Sequence, residues 1–198
     1  MATDRRDLRR QIFALAAEQG GYFTAAQAMA VGYSYQAQAH HVAARNWLRV
    51  DRGLVRLAEW APRPNDELFR WLLWSKGQGV ISHESALSVH GLGEFESSRI
   101  HLTVPKSFTK NDSGVVLHHA DLPEEDIDAR PGFPVTTVAR SLIDVAAAGA
   151  DEEQLARAIG EALDTGRVTL RRLRARAEVA DVTGALRIER ALSSREAR

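Results

Sequence analysis

Leu8, Ile12, Leu15 and Ala16 recur at helical spacing along one face of residues 4–19, and Gly20-Gly21 ends that run. Thr24 stands as the N-cap of a short second helix, Ala25–Val31, closed by Gly32. Ser34 caps a third helix that reaches about Asn46. The period then changes: Leu48, Val50, Leu54, Val55 and Leu57 are strand formers around the turn Asp51-Arg52-Gly53. Two short capped helices joined by a Gly-containing turn form a helix-turn-helix, and a hairpin directly after it is a wing.

The stretch from Trp60 to Asp66 carries Pro62 and Pro64 among polar neighbours and interrupts both helix and strand. Beyond it the pattern turns mixed. Residues 66–75 read as an amphipathic helix with Leu68, Trp71, Leu72 and Trp74, and Ser82 N-caps a second helix ending at Gly91. Arg99–Pro105 and Val115–His119 read as strands. Helices follow from Thr136 or Thr137 to Ala147, over Glu152–Ala162 and Leu170–Glu178, and over Thr183–Leu192. The expected fold class is therefore mixed α/β (α+β). A winged helix-turn-helix spans residues 1–60, and an α/β domain spans 66–198.

On the third helix, Ala39, Val42 and Ala43 fall at i, i+3 and i+4 and are expected to bury against the first helix. That phase turns Ser34, Gln38, His41 and Arg45 outward, with Tyr35 and Gln36 at the helix start. Hydrogen-bonding side chains there suit readout of base edges in the major groove, where Gln pairs bidentately with adenine. Arg49, Arg52 and Arg56 on the hairpin suit phosphates or the minor groove. With Thr24, these ten residues are the expected contact set for double-stranded DNA. His40, beside His41, is expected to be exposed or to face phosphate rather than to bind metal.

Charge strengthens this division of labour. Residues 1–57 hold eight Arg against four acids, a net of +4. Residues 58–165 hold nine bases against eighteen acids, a net of −9, and residues 166–198 hold nine Arg against four acids, a net of +5. Glu94, Glu96, Asp121, Glu124, Glu125, Asp126 and Asp128 lie in polar, loop-like surroundings and are expected to face solvent. No run approaches the roughly 18 apolar residues of a membrane span, and no signal-peptide core precedes the first helix, so the expected location is the cytoplasm. There is no cysteine, which excludes disulfides and thiolate-ligated zinc.

Catalytic motifs are missing. A restriction-type nuclease needs an acid two positions before a Lys, yet Lys76, Lys106 and Lys110 follow Trp74, Val104 and Phe108 at that spacing. His83 and His90 are wrongly spaced for a zinc protease, and no phosphate-binding loop or serine elbow appears. His83, Glu84, Ser85, His101, Arg140 and Asp144 are candidates to converge, as structural polar groups rather than as a catalytic site. No catalytic residue, cofactor or metal is expected.

Four phrases in order resemble the AbiEi-type antitoxins. They are Asn46–Leu57, Ile81–Leu92 (ISHESALSVHGL), Ile100–Pro105 (IHLTVP) and Phe133–Asp144 (FPVTTVARSLID). The chain departs from the family at Asn46 and Leu54, where relatives often carry Gly and Val or Ile. The resemblance implies an antitoxin against a nucleotidyltransferase-like toxin, acting directly or by an indirect route. It also implies repression of the shared operon through inverted repeats in operator DNA, with a monomer in solution that pairs on DNA. On the residues alone, a stand-alone ligand-responsive winged-helix regulator and an enzyme remain the competing classes.

Overall fold

The computed structural model describes residues 4–95, 97–130 and 132–196, and these divide into two compact units, Met1–Gly77 and Gln78–Arg198. In the first, α1 (Arg5–Ala17) is capped by Asp4, whose carboxylate accepts from the Arg6 N–H. β1 (Tyr22–Thr24) leads into α2 (Ala25–Val31) and α3 (Tyr35–Ala43), and β2 (Trp47–Asp51) and β3 (Leu54–Leu57) form the hairpin. Thr24 and Gln27 make a reciprocal capping box, and the Ser34 hydroxyl accepts from Ala37 N–H at 3.2 Å. The sheet order is β1-β3-β2, antiparallel throughout, with Tyr22 and Leu48 flanking Arg56. This is a winged helix. Its core gathers Ile12, Phe23, Tyr33, Trp47, Val55 and Trp60.

The unit does not end at residue 60. α4 (Asp66–Trp74) belongs to it, so the division falls after Gly77 rather than within the proline-bearing stretch. The reason is a buried polar clasp: Asp66 Oδ2 accepts from Trp60 Nε1 and from Arg63 N–H, both at 2.8 Å. Gly21, at φ +85°, lies under the same indole, and a Cβ there would sit 2.4 Å from Trp60 Cγ. Gly21→Ala combines left-handed strain with overpacking, each worth roughly 1–3 kcal/mol. A loss of about 2–6 kcal/mol is expected in urea unfolding followed by tryptophan fluorescence, since all four tryptophans lie in this unit.

The second unit is built on a five-stranded mixed sheet. Its strands are β4 (Val80–Ile81), β5 (Ile100–Val104), β6 (Val115–His119), β7 (Ile127–Ala129) and β8 (Pro134–Thr136), in the order β6-β5-β4-β8-β7. β5 and β6 run parallel, with His101 opposite Val116 and Thr103 opposite His118. The helices are α5 (His83–His90), α6 (Val138–Ala147), α7 (Glu152–Asp164), α8 (Leu170–Ala180) and α9 (Val182–Glu196). α6 buries Leu142, Ile143, Val145 and Ala146 in a cluster with Leu87, Leu155, Ile159, Leu173 and Ile188. Each large apolar side chain among them contributes about 1.5–3 kcal/mol.

Much of the charge separated along the sequence is paired in space. Asp126, 1% exposed, accepts from Arg140 Nη1 at 3.0 Å and from Arg176 Nη2 at 2.7 Å. Arg140 Nε also donates to Asp144 at 2.7 Å. Burial pushes the Asp144 carboxyl up to about 6 against the opposing pull of Arg140. Glu125 meets Arg176, Asp128 meets Arg130, and Arg174 grips Glu189. Asp126 is therefore not solvent-facing as expected, because arginines 14 and 50 residues away fold over it. Asp121, Glu124 and Glu94 remain exposed, and Glu96 lies outside the described residues. By unit, the first holds eleven Lys and Arg against seven acids, a net of +4; the second holds fifteen against nineteen, a net of −4.

Candidate nucleic-acid interface

The outward face of α3 is rotated from the one its alanines suggest. Tyr35 is 71% exposed, and Gln36, Ala39, His40 and Ala43 share its face. Gln38 points in: 8% exposed, it donates from Nε2 to Ala25 O at 3.1 Å and to Tyr33 O at 3.0 Å, tying α3 to the start of α2. His41 is half-buried and stacks on Trp47, with ring centres 4.7 Å apart and planes 14° apart. Its Nδ1 accepts from the Asn46 amide at 3.3 Å. Burial and then the neighbouring His40 lower the His41 pKa. Alanine carries too little apolar surface to set the phase of a helix. The Tyr33 and Trp47 rings set it here by drawing in Ala37, Val42 and His41.

The expected contact set divides accordingly. Thr24 and Ser34 cap helices, and Gln38 and His41 serve the interior. Tyr35 and Gln36 are presented outward, together with His40. α3 stops at Ala43, short of Asn46, and Arg45 follows in a left-handed turn (φ +58°) with its side chain exposed. Arg49 and Arg52 stand exposed on the wing. Arg56 does not, because the central strand holds it: it donates to Trp60 O at 3.2 Å and lies over the Tyr22 ring at 5.6 Å. A cleft of about 730 Å³ opens beside α3, with Leu8, Phe13 and Trp47 facing Arg5, Arg9 and Arg45.

Gln38→Ala takes the side-chain donor from the buried bond to Tyr33 O and the part-buried bond to Ala25 O, which costs about 1–3 kcal/mol. The expected result is a lower unfolding midpoint with the ratio of operator to random-DNA affinity unchanged. Urea titration and mobility shift on the same preparation check both halves.

The second unit brings together part of the other candidate set. His83, Glu84 and His101 converge, joined by His118 from β6, while Arg140 and Asp144 belong to the buried ion network above. His83, at φ +54°, begins α5; its Nδ1 is 3.0 Å from the Ser82 hydroxyl, which makes no N-cap bond. The His83 and His118 rings stack with centres 3.4 Å apart. His101 Nδ1 lies 2.7 Å from Glu84 Oε2 and 3.2 Å from His118 Nε2, and its Nε2 lies 3.2 Å from Ser97 Oγ. Ser85 Oγ accepts from His101 N–H. Burial, then the neighbouring imidazoles, push His83 down to about 3; burial and His101 push His118 down to about 4. Burial raises the Glu84 pKa, but the His101 hydrogen bond outweighs it together with backbone bonding and the nearby rings, leaving a net lowering.

Comparison with known proteins follows the same two-part division. A family model described as "Transcriptional regulator, AbiEi antitoxin" matches residues 10–58, and one described as "AbiEi antitoxin C-terminal domain" matches residues 79–194. No curated protein matches. The crystal structure of the RV2827C protein from Mycobacterium tuberculosis superposes with a TM-score of 0.64 at 15% identity, covering 97% of this chain and 78% of that one. At that identity the likeness is one of fold. Among the described residues, no helix is long and apolar enough to cross a membrane.

Proposed function

The chain belongs to the AbiEi antitoxin family, and from that premise we propose that it represses its own operon and neutralises a nucleotidyltransferase-like toxin encoded beside it. The observation that carries this reading is the face of α3 with Tyr35, Gln36 and His40 exposed, in the net-positive unit that also exposes Arg49 and Arg52 on its wing. Tyr35 and Gln36 meet base edges and the two arginines meet phosphates. The protein is a monomer in solution and pairs over an inverted repeat, acting in the cytoplasm without a catalytic residue. Toxin neutralisation is assigned to the net-negative second unit, whose exposed acids meet a basic, nucleotide-handling surface with complementary potential.

The cleft beside α3 favours a second reading, a regulator that answers to a small ligand. Its volume lies in the range of ligand sites and its lining mixes apolar and cationic groups. Operator affinity that changes with a metabolite extract but not with the toxin would support that reading over ours.

Co-expression with the neighbouring toxin gene tests the antitoxin assignment. Growth is expected to recover with the wild-type chain and to fail when Asp121, Glu124 and Glu94 are reversed to Lys. That variant leaves the buried Asp126 in place, so the fold and operator binding should persist. Undiminished rescue removes the acidic surface from neutralisation.

A further inference from the structure

We propose that His83, His101 and His118 form a binding site for one divalent transition-metal ion. Their donor atoms all lie within 4.8 Å of one another, and three different elements supply them: the first residue of α5, β5 and the edge strand β6. Sequence spacing does not announce this. The sheet does: in the parallel register, Thr103 is opposite His118, so His101 and His118 fall on the same face as diagonal neighbours. His83 is then brought over that face by a left-handed backbone that L-residues seldom adopt, a departure that clusters at functional positions.

The distances suit a borderline cation. Ligands about 2.0–2.1 Å from zinc in a tetrahedron stand roughly 3.3 Å apart. The His118 Nε2 to His101 Nδ1 separation is already 3.2 Å. To reach a tetrahedral edge the widest pair needs to close by at most about 1.5 Å, and the stacked His83 and His118 rings must turn so that their in-plane lone pairs converge. Imidazole donors select zinc, cobalt, nickel or copper over magnesium or calcium, which prefer oxygen. Glu84 Oε2 lies 2.7 Å from the same His101 Nδ1, and the other ring nitrogen, Nε2, lies 3.2 Å from Ser97 Oγ, a partner of the kind that orients a metal-bound imidazole. The competing account is a stack of neutral rings held by hydrogen bonds alone. It requires no ion, and the two accounts differ in a measurable stoichiometry.

The ion would pin the start of α5 to an edge strand, so binding should raise the melting temperature of the full chain by several degrees. The test uses tag-free full-length protein stripped with EDTA and titrated with zinc by calorimetry and with cobalt by visible absorption. One equivalent per chain is expected, with tetrahedral cobalt bands, and both signals should vanish in His101→Asn and His118→Asn. Binding that neither substitution alters overturns the site, as does a wild-type chain that takes up no equivalent. If the variants fail to fold, anomalous scattering at the zinc edge from wild-type crystals decides. A peak among the three rings upholds the assignment, and a peak elsewhere, or none, refutes it.

Discussion

Asp126→Ala is expected to lower the unfolding free energy by about 3–5 kcal/mol, because it removes the buried carboxylate shared by two half-buried arginines. The carboxylate is 1% exposed, and it takes one bond from Arg140 and two from Arg176. Arg140 retains Asp144, whereas Arg176 retains only the exposed Glu125, so Arg176 loses most. Because α6 carries Arg140 and α8 carries Arg176, the damage falls on the helical core of the second unit. Asp121→Ala, an exposed acid of the same region, should stay within about 0.5 kcal/mol. Urea unfolding followed by circular dichroism separates the two. Equal effects would mean that Asp126 does not hold α6 and α8 together.

The largest functional effect is expected from removing Arg49 and Arg52 together. Each phosphate that is no longer neutralised reduces the slope of log K against log salt by about 0.9, so the double alanine variant should shed nearly two units of slope. Affinity should fall on promoter and random duplex alike, since phosphate contacts carry no sequence information. Arg56→Ala should behave differently. Its guanidinium is engaged with Trp60 O and the Tyr22 ring, so stability falls while the salt slope holds. A slope unchanged in the double variant would take the wing out of the interface.

Sequence and structure part at the places these variants probe. Local rules carry the first unit: Thr24, Ser34, the Gly-closed α2 and the Asp51-Arg52-Gly53 turn are all chemistry of neighbours, and each is legible in the sequence. The phase of α3 is not, because Ala39 and Ala43 fit either face and the Tyr33 and Trp47 rings on either side of the helix decide which way His41 turns. β1, β4 and β8 are two or three residues long and gain their meaning from partners far along the chain. Trp60 and Asp66 are close in sequence, yet their hydrogen bond joins α4 to the first unit across a stretch whose prolines read as a linker. Acidic residues 124–128 read as a solvated loop, because nothing nearby in sequence signals Arg140 and Arg176. The histidine cluster is half legible: His83 and His101 stand out as polar candidates, but His118 joins them only through the register of β5 and β6.

The measurement closest to the central claim is quantitative mobility shift of the full chain on the DNA upstream of its own gene, beside a scrambled duplex at the same salt. Sequence-specific repression predicts promoter binding at least about 10³-fold tighter than binding to the scramble. Gln36→Ala should reduce only the promoter affinity, by about 1–3 kcal/mol. Equal wild-type affinity for the two duplexes would contradict the account.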